Sequence, residues 1–180
     1  MRRCVLRGAW IVALWFFLVG RVVAAEFRID RIDGEYVIDG TLQVPVTVAV
    51  AMAVLTDYDR MATFLPDMRE SRVLSREGAR WLVRQTGTTR LGPFGFDYEV
   101  ERAVEIDADT VRSRALKGNM RKLEMETHVV ATDGGVSIHY RAVLVPDFWV
   151  PPLIGPRAMR AQAEKQFEAL AAEMKRRQGP

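Results

Sequence analysis

Apolar and polar positions alternate most strictly between Phe94 and Ile106. Phe94, Phe96, Tyr98, Val100, Val104 and Ile106 occupy even positions, while Asp97, Glu99, Glu101 and Glu105 occupy odd ones. A period of two with one apolar side predicts a strand in an antiparallel sheet covered on a single face. Arg102 breaks the apolar side. A charge there has to be paired, reach the rim, or meet the polar group of a ligand. The same period recurs on both sides of Asp133-Gly134, a two-residue hairpin turn. That turn pairs 131 with 136, 129 with 138, 127 with 140, 125 with 142 and 123 with 144. The inward set is then Leu123, Met125, Thr127, Val129, Ala131, Val136, Ile138, Tyr140, Ala142 and Leu144, and both strands agree on it. The outer face pairs Glu126 with Arg141 and His128 with His139.

Further strands are predicted over Glu35–Val44, Glu70–Arg76, Arg80–Leu91, Thr110–Lys117 and Lys122–Thr132. Pro45, lacking an N–H, ends the first of them. Between Val46 and Leu65 the spacing of Val48, Met52 and Leu55 predicts two short helices, with Asp57 or Asp59 capping the second and Pro66 stopping it. The β-branched content leaves a strand over Val46–Val50 as the competing reading. From Pro156 to Arg177 the period becomes helical. Met159, Ala163, Phe167, Leu170 and Met174 make one stripe, opposite Arg157, Arg160, Glu164, Lys165, Glu168 and Lys175. Such a helix needs an apolar partner, and the run of strands is the candidate. The fold class expected is α+β, a curved antiparallel sheet wrapped around a long C-terminal helix. Facing positions that are small or adaptable (Met159, Ala163, Met174, Thr127, Ala131, Ala142) leave a gap, so a pocket is expected between helix and sheet.

The first 25 residues read differently. Arg2, Arg3 and Arg7 precede the apolar run Ala9–Gly20, and Val23-Ala24-Ala25 offers small residues for cleavage. This is the pattern of a secretory signal peptide, with Glu26 opening the mature chain and the periplasm as destination. The run is short of the ~20 apolar residues of a spanning helix; retention as an anchor is the alternative. The segment holds four arginines and no acid, so its removal takes the net charge from +3 to −1. The basic character of the full chain is therefore poor evidence for nucleic-acid binding. Cys4 leaves with the segment, which excludes disulfides and thiolate chemistry from the remainder. Residues 26–180 contain no repeat or linker and read as a single domain.

Candidate chemistry is sparse. The sequence lacks a phosphate loop, a G-x-S-x-G elbow and H-E-x-x-H. Two histidines side by side on an outer face make a poor metal site, even with Glu126 nearby. No metal or other cofactor is expected, and no catalytic residue is assigned. Asp57, Asp59 and Asp67 read as capping and solvated groups. Phe94, Phe96, Tyr98 and Tyr140 are core or cavity wall, and Phe148 and Trp149 pack under the helix start or stand at a pocket mouth.

The segment Leu55–Pro66, LTDYDRMATFLP, resembles the helix pair of the START-like (SRPBCC) superfamily, in its polyketide cyclase/dehydrase and coenzyme Q-binding branch. The VRQTG run from Val83 to Gly87, Ser71 and Val73, and Leu144-Val145-Pro146 are similar to exported bacterial members. The resemblance spans about Tyr36 to Arg177. It implies a helix-grip fold with an apolar cavity for a lipid, isoprenoid quinone or polyketide-like molecule. The candidate ligand-binding residues are Tyr58, Phe64, Leu65, Phe94, Phe96, Tyr98, Arg102, Tyr140, Trp149, Met159 and Phe167. The expected partner is a small apolar ligand, with a membrane surface or envelope proteins as candidates beyond it. The first functional expectation is a binding or carrier protein. A cyclase/dehydratase-type enzyme using the same pocket and an envelope interaction module are the alternatives.

Overall fold

The computed structural model describes residues 25–91, 94–147, 150 and 155–179. Eight antiparallel strands form one sheet in the order β1-β2-β8-β7-β6-β5-β4-β3. They are β1 (Ala25–Ile32), β2 (Glu35–Val44), β3 (Met68–Glu77), β4 (Arg80–Leu91), β5 (Phe94–Ile106), β6 (Thr110–Gly118), β7 (Met120–Thr132) and β8 (Gly135–Pro146). Between β2 and β3 run α1 (Val48–Leu55), a 3₁₀ turn (Tyr58–Arg60) and the single turn α2 (Met61–Phe64). The long helix α3 (Gly155–Gln178) follows β8 and lies across the concave face. This is the helix-grip arrangement expected.

Strand β1 was not anticipated. Two strands precede the helix pair rather than one, and β1 pairs with β2 along its whole length, Phe27 opposite Gly40. A Cβ on Gly40 would run into the Phe27 ring, so the glycine is what lets the ring lie flat over its neighbour. From there Phe27 reaches Phe167 of α3, centroid to centroid 4.9 Å.

The alternation signals hold in the last hairpin. Residues 131/136, 129/138, 127/140, 125/142 and 123/144 are all paired. His128 stands opposite His139 with both exposed. Two details differ. Ala131, at the hairpin end, is exposed rather than buried, although its register partner Val136 lies in the main core. Glu126 and Arg141 are opposite in register but bond elsewhere, Glu126 with Arg112 at 3.3 Å and Arg141 with Asp39 at 2.8 Å.

Val48–Val50 is helical, not extended. Thr47 Oγ1 accepts a hydrogen bond from Val50 N at 3.3 Å and caps α1. Neither aspartate caps the second piece by its side chain. Asp57 instead meets Arg177 Nη2 at 2.7 Å, and Asp59 accepts from Val73 N at 2.8 Å and Arg76 at 2.9 Å. Tertiary cations and an edge-strand N–H offer better partners than one short turn.

Apolar side chains gather in three clusters. The largest joins α1 and α3 to β1, β2, β7 and β8 through Phe27, Leu42, Val54, Ile138, Phe167 and Met174. A second sits under α2, with Tyr58, Met61, Val83, Val104 and Val111. A small third holds Tyr36, Val150 and Met159.

Candidate functional site

A cavity of about 290 Å³, partly open to solvent, lies where these clusters meet, bounded by α3, the helix pair and the concave face of the sheet. Leu55, Leu65, Met61 and Tyr58 wall it from the helix pair; Met159, Ala163, Phe167 and Leu170 wall it from α3. Ile38, Val100, Val111, Leu123, Met125 and Leu144 form the apolar part of the sheet side. The volume is near the lower end of small-molecule pockets, and equals about ten water volumes at ~30 Å³ each.

Of the residues anticipated, Tyr58, Leu65, Tyr98, Arg102, Tyr140, Met159 and Phe167 line this cavity. Phe64, Phe94 and Phe96 do not. Phe64 packs between the two larger clusters with the Arg177 guanidinium 5.6 Å above its ring. Phe94 lies at the far end of β5 and is 47% exposed. Phe96, beside it, packs against the third cluster. Phe148 and Trp149 lie outside the described residues. The gap-forming positions divide as well. Met159, Ala163 and Thr127 face the cavity, whereas Met174 and Ala142 are packed into the main core.

Thr127 of β7 and Gln162 and Gln166 of α3 add polar groups to the wall, and its main polar cluster is assembled from three neighbouring strands. Arg102 on β5 is 6% exposed. Its Nη2 donates to Gln85 Oε1 of β4 at 2.6 Å, and its Nη1 to Ser113 Oγ of β6 at 3.1 Å and to Met125 Sδ at 3.1 Å. Gln85 in turn donates to Ser71 Oγ at 3.0 Å. Among the described residues the partners of this cation are thus neutral, and its Nε is buried without one. The Arg102 guanidinium lies 5.8 Å from the Tyr58 ring centre. Burial pushes the Tyr140 phenol up to about 12 and raises those of Tyr58 and Tyr98, with the Arg102 charge opposing each shift. All three phenols are therefore neutral O–H groups at ordinary pH. Tyr98 is admitted by Gly87 on β4: the two are paired, and a Cβ on Gly87 would collide with the tyrosine ring and with the Asp67 carbonyl.

Sequence reasoning missed Gln85 and Ser113. A polar residue at an inward position of an otherwise apolar strand face, as in Val83-Arg84-Gln85, was the available signal. Asp57, Asp59 and Asp67 do not line the cavity. Asp67, held at φ 65°, accepts from Lys165 at 2.7 Å and Gln162 at 3.4 Å, chiefly the lysine bond keeping its carboxyl low. Together with Asp57–Arg177, this pair fastens α3 to the helix pair and the start of β3.

A larger depression of about 690 Å³ lies on the outer face among Arg112, Glu126 and Arg141. It is open to solvent and rimmed by charged side chains, of which Arg112 pairs with Glu126 and Arg141 with Asp39. Among the described residues no three His, Cys, Asp or Glu side chains group as a metal would require.

A family model described as polyketide cyclase / dehydrase and lipid transport matches residues 44–174. No curated protein sequence matches the chain. Several solved structures share the fold. An aromatase/cyclase, Zhui, from Streptomyces sp. R1128 superposes with a TM-score of 0.66 at 14% identity, covering 79% of this chain and 95% of its own. A START superfamily protein from Mycobacterium smegmatis gives 0.66 at 13% identity, covering 78% and 97%. A STAR-related lipid transfer protein from Xanthomonas axonopodis gives 0.62 at 15% identity, covering 82% and 98%.

Proposed function

The chain belongs to the polyketide cyclase / dehydrase and lipid transport family, and from that premise we propose that it binds and carries a small apolar ligand between its sheet and α3. The observation that carries this reading is the mostly apolar cavity of about 290 Å³ at that place. Binding would draw on about 25 cal/mol for each Å² of apolar area removed from water. Tyr58, Leu65, Tyr98, Arg102, Tyr140, Met159 and Phe167 are the residues proposed to contact the ligand. Extraction of the purified full chain with organic solvent, followed by mass spectrometry, tests it: an apolar compound should come off in near-stoichiometric amount. A chain that yields none and fails to take up a C10 alcohol would refute the reading.

The proposed place of action is the periplasm, after cleavage behind Ala25. The site at which Glu26 would begin leaves all but one residue of β1, and the Phe27–Phe167 contact with it. N-terminal sequencing of native material should start at Glu26, and a product starting at Met1 in the inner membrane would refute it.

Cyclisation or dehydration is the second reading. What favours it is the convergence of Arg102, Gln85 and Ser113 with three neutral phenols on one apolar space, an arrangement able to hold and polarise a carbonyl. Turnover of a poly-β-ketone mimic by the full chain would separate it from carriage alone.

A further inference from the structure

We infer that the ligand of this cavity is an apolar molecule bearing a single negative charge, with its carboxylate on Arg102. The inference deepens the ligand-binding reading and rests on it. Arg102 as a whole residue is 6% exposed, so its guanidinium is largely withdrawn from bulk water, and buried charges are ordinarily paired with an opposite one. Among the described residues Arg102 has only the Gln85 carbonyl, the Ser113 hydroxyl and the Met125 sulfur as acceptors. Guanidinium carries five N–H donors in a planar fork. Among the described residues three are used, which leaves one hydrogen on Nη2 and the Nε–H, the latter buried without a partner and reached by a ligand once the side chain turns toward the cavity. Two free donors on one planar cation are what a carboxylate takes in its two-point contact.

The surroundings narrow the class. Ser113 Oγ accepts from Arg102 at 3.1 Å and keeps its own O–H to donate. The nearby phenols of Tyr58, Tyr98 and Tyr140 are held neutral and cannot supply the missing negative charge. The rest of the wall is mostly apolar, with Thr89, Thr127, Gln162 and Gln166 as further neutral polar side chains and no second charge among the lining residues, so the remainder of the ligand has to be mostly apolar and uncharged. One buried positive charge balances one negative charge. A dianionic head would bring an uncompensated charge into the same space, and a neutral head would leave the cation as it stands. The cavity volume admits roughly ten heavy atoms at ~30 Å³ each, the scale of a medium-chain acid.

The test compares three C10 probes, decanoate, decanol and decyl phosphate, titrated into the full chain by calorimetry at neutral pH. A charge-assisted contact to Arg102 should make decanoate roughly 10- to 100-fold tighter than decanol, and Arg102→Met should abolish that preference while decanol still binds. Decanol binding as tightly as decanoate in the parent protein overturns the assignment of the head and leaves the cavity reading standing. A preference that survives in Arg102→Met overturns the role of Arg102, and decyl phosphate binding tighter than decanoate overturns the match to a single charge. Failure of every probe overturns the ligand-binding reading itself. The parent comparison needs no variant, so it decides even where Arg102→Met does not fold.

Discussion

Two alanines that look alike in the sequence should respond in opposite ways to enlargement. Ala163 lies on the cavity wall of α3, while Ala142 is 1% exposed in the main core. Each becomes leucine by the addition of three carbons. At ~30 Å³ per water-sized group those carbons need on the order of 90 Å³. Beside Ala163 that is about a third of the 290 Å³ available. Leucine is also nearly as good a helix former as alanine, so Ala163→Leu should change stability by less than about 0.5 kcal/mol. Ala142 has no such room. It sits between Ile38 of β2 and Met125 of β7, and Ala142→Leu should cost about 1–3 kcal/mol through displaced neighbours. For a chain of this size that lowers the melting temperature by about 2–12 °C, against less than about 2 °C for Ala163→Leu. Binding should change in the reverse order: decanol affinity falls in Ala163→Leu and persists in whatever fraction of Ala142→Leu is folded. Thermal unfolding by circular dichroism and decanol titration read both halves. Equal destabilisation of the two variants, with decanol binding intact in Ala163→Leu, would refute the cavity as open space.

Three further outcomes are expected. Glu173 is buried on α3 and accepts from Arg176 and Arg177 at 2.7 Å, bonds that hold its carboxyl down to about 2 from 4.5, the Arg176 bond foremost. Its contribution is therefore complete above the unfolded-state value near 4.5 and disappears as pH falls through about 2. Glu173→Gln should cost about 1–3 kcal/mol in urea unfolding at pH 7, and the gap to the parent should close toward pH 2. A gap independent of pH would mean that the charge plays no part. Gly135 has φ 137°, and a Cβ there would meet the Val44 carbonyl and the Pro45 backbone. Gly135→Ala should destabilise by at least about 1–3 kcal/mol, measured by the same unfolding curve. By contrast, a double-mutant cycle on the exposed pair Asp39–Arg141 should give no more than about 1 kcal/mol, despite its 2.8 Å contact.

Local pattern determined much of this molecule. The period of two in β5, β7 and β8 and the turn at Asp133-Gly134 dictate which side chains face inward, because a slip by one residue would bury Glu126 and Arg141 and expose Val129 and Ile138. The stripe from Met159 to Met174 likewise assigns the buried side of α3. Even the oddity of Arg102 is visible in one strand, as a charge at an inward position. What the charge meets is not visible there. Gln85 and Ser113 lie 17 and 11 residues from Arg102 in the chain, and they meet it through the registers of β4 and β6 against β5, with a shift between Glu101 and Arg102 that no alternation reveals. Strand β1 escaped notice because its short pattern carries charges on both sides and acquires meaning only when Phe27 crosses Gly40 to reach Phe167. The same holds for the division of small residues between packed core and cavity. Ala142 and Ala163 both belong to apolar faces; the position of α3 over the sheet, fixed by long-range contacts such as Lys165–Asp67 and Arg177–Asp57, decides which face is filled and which is left open.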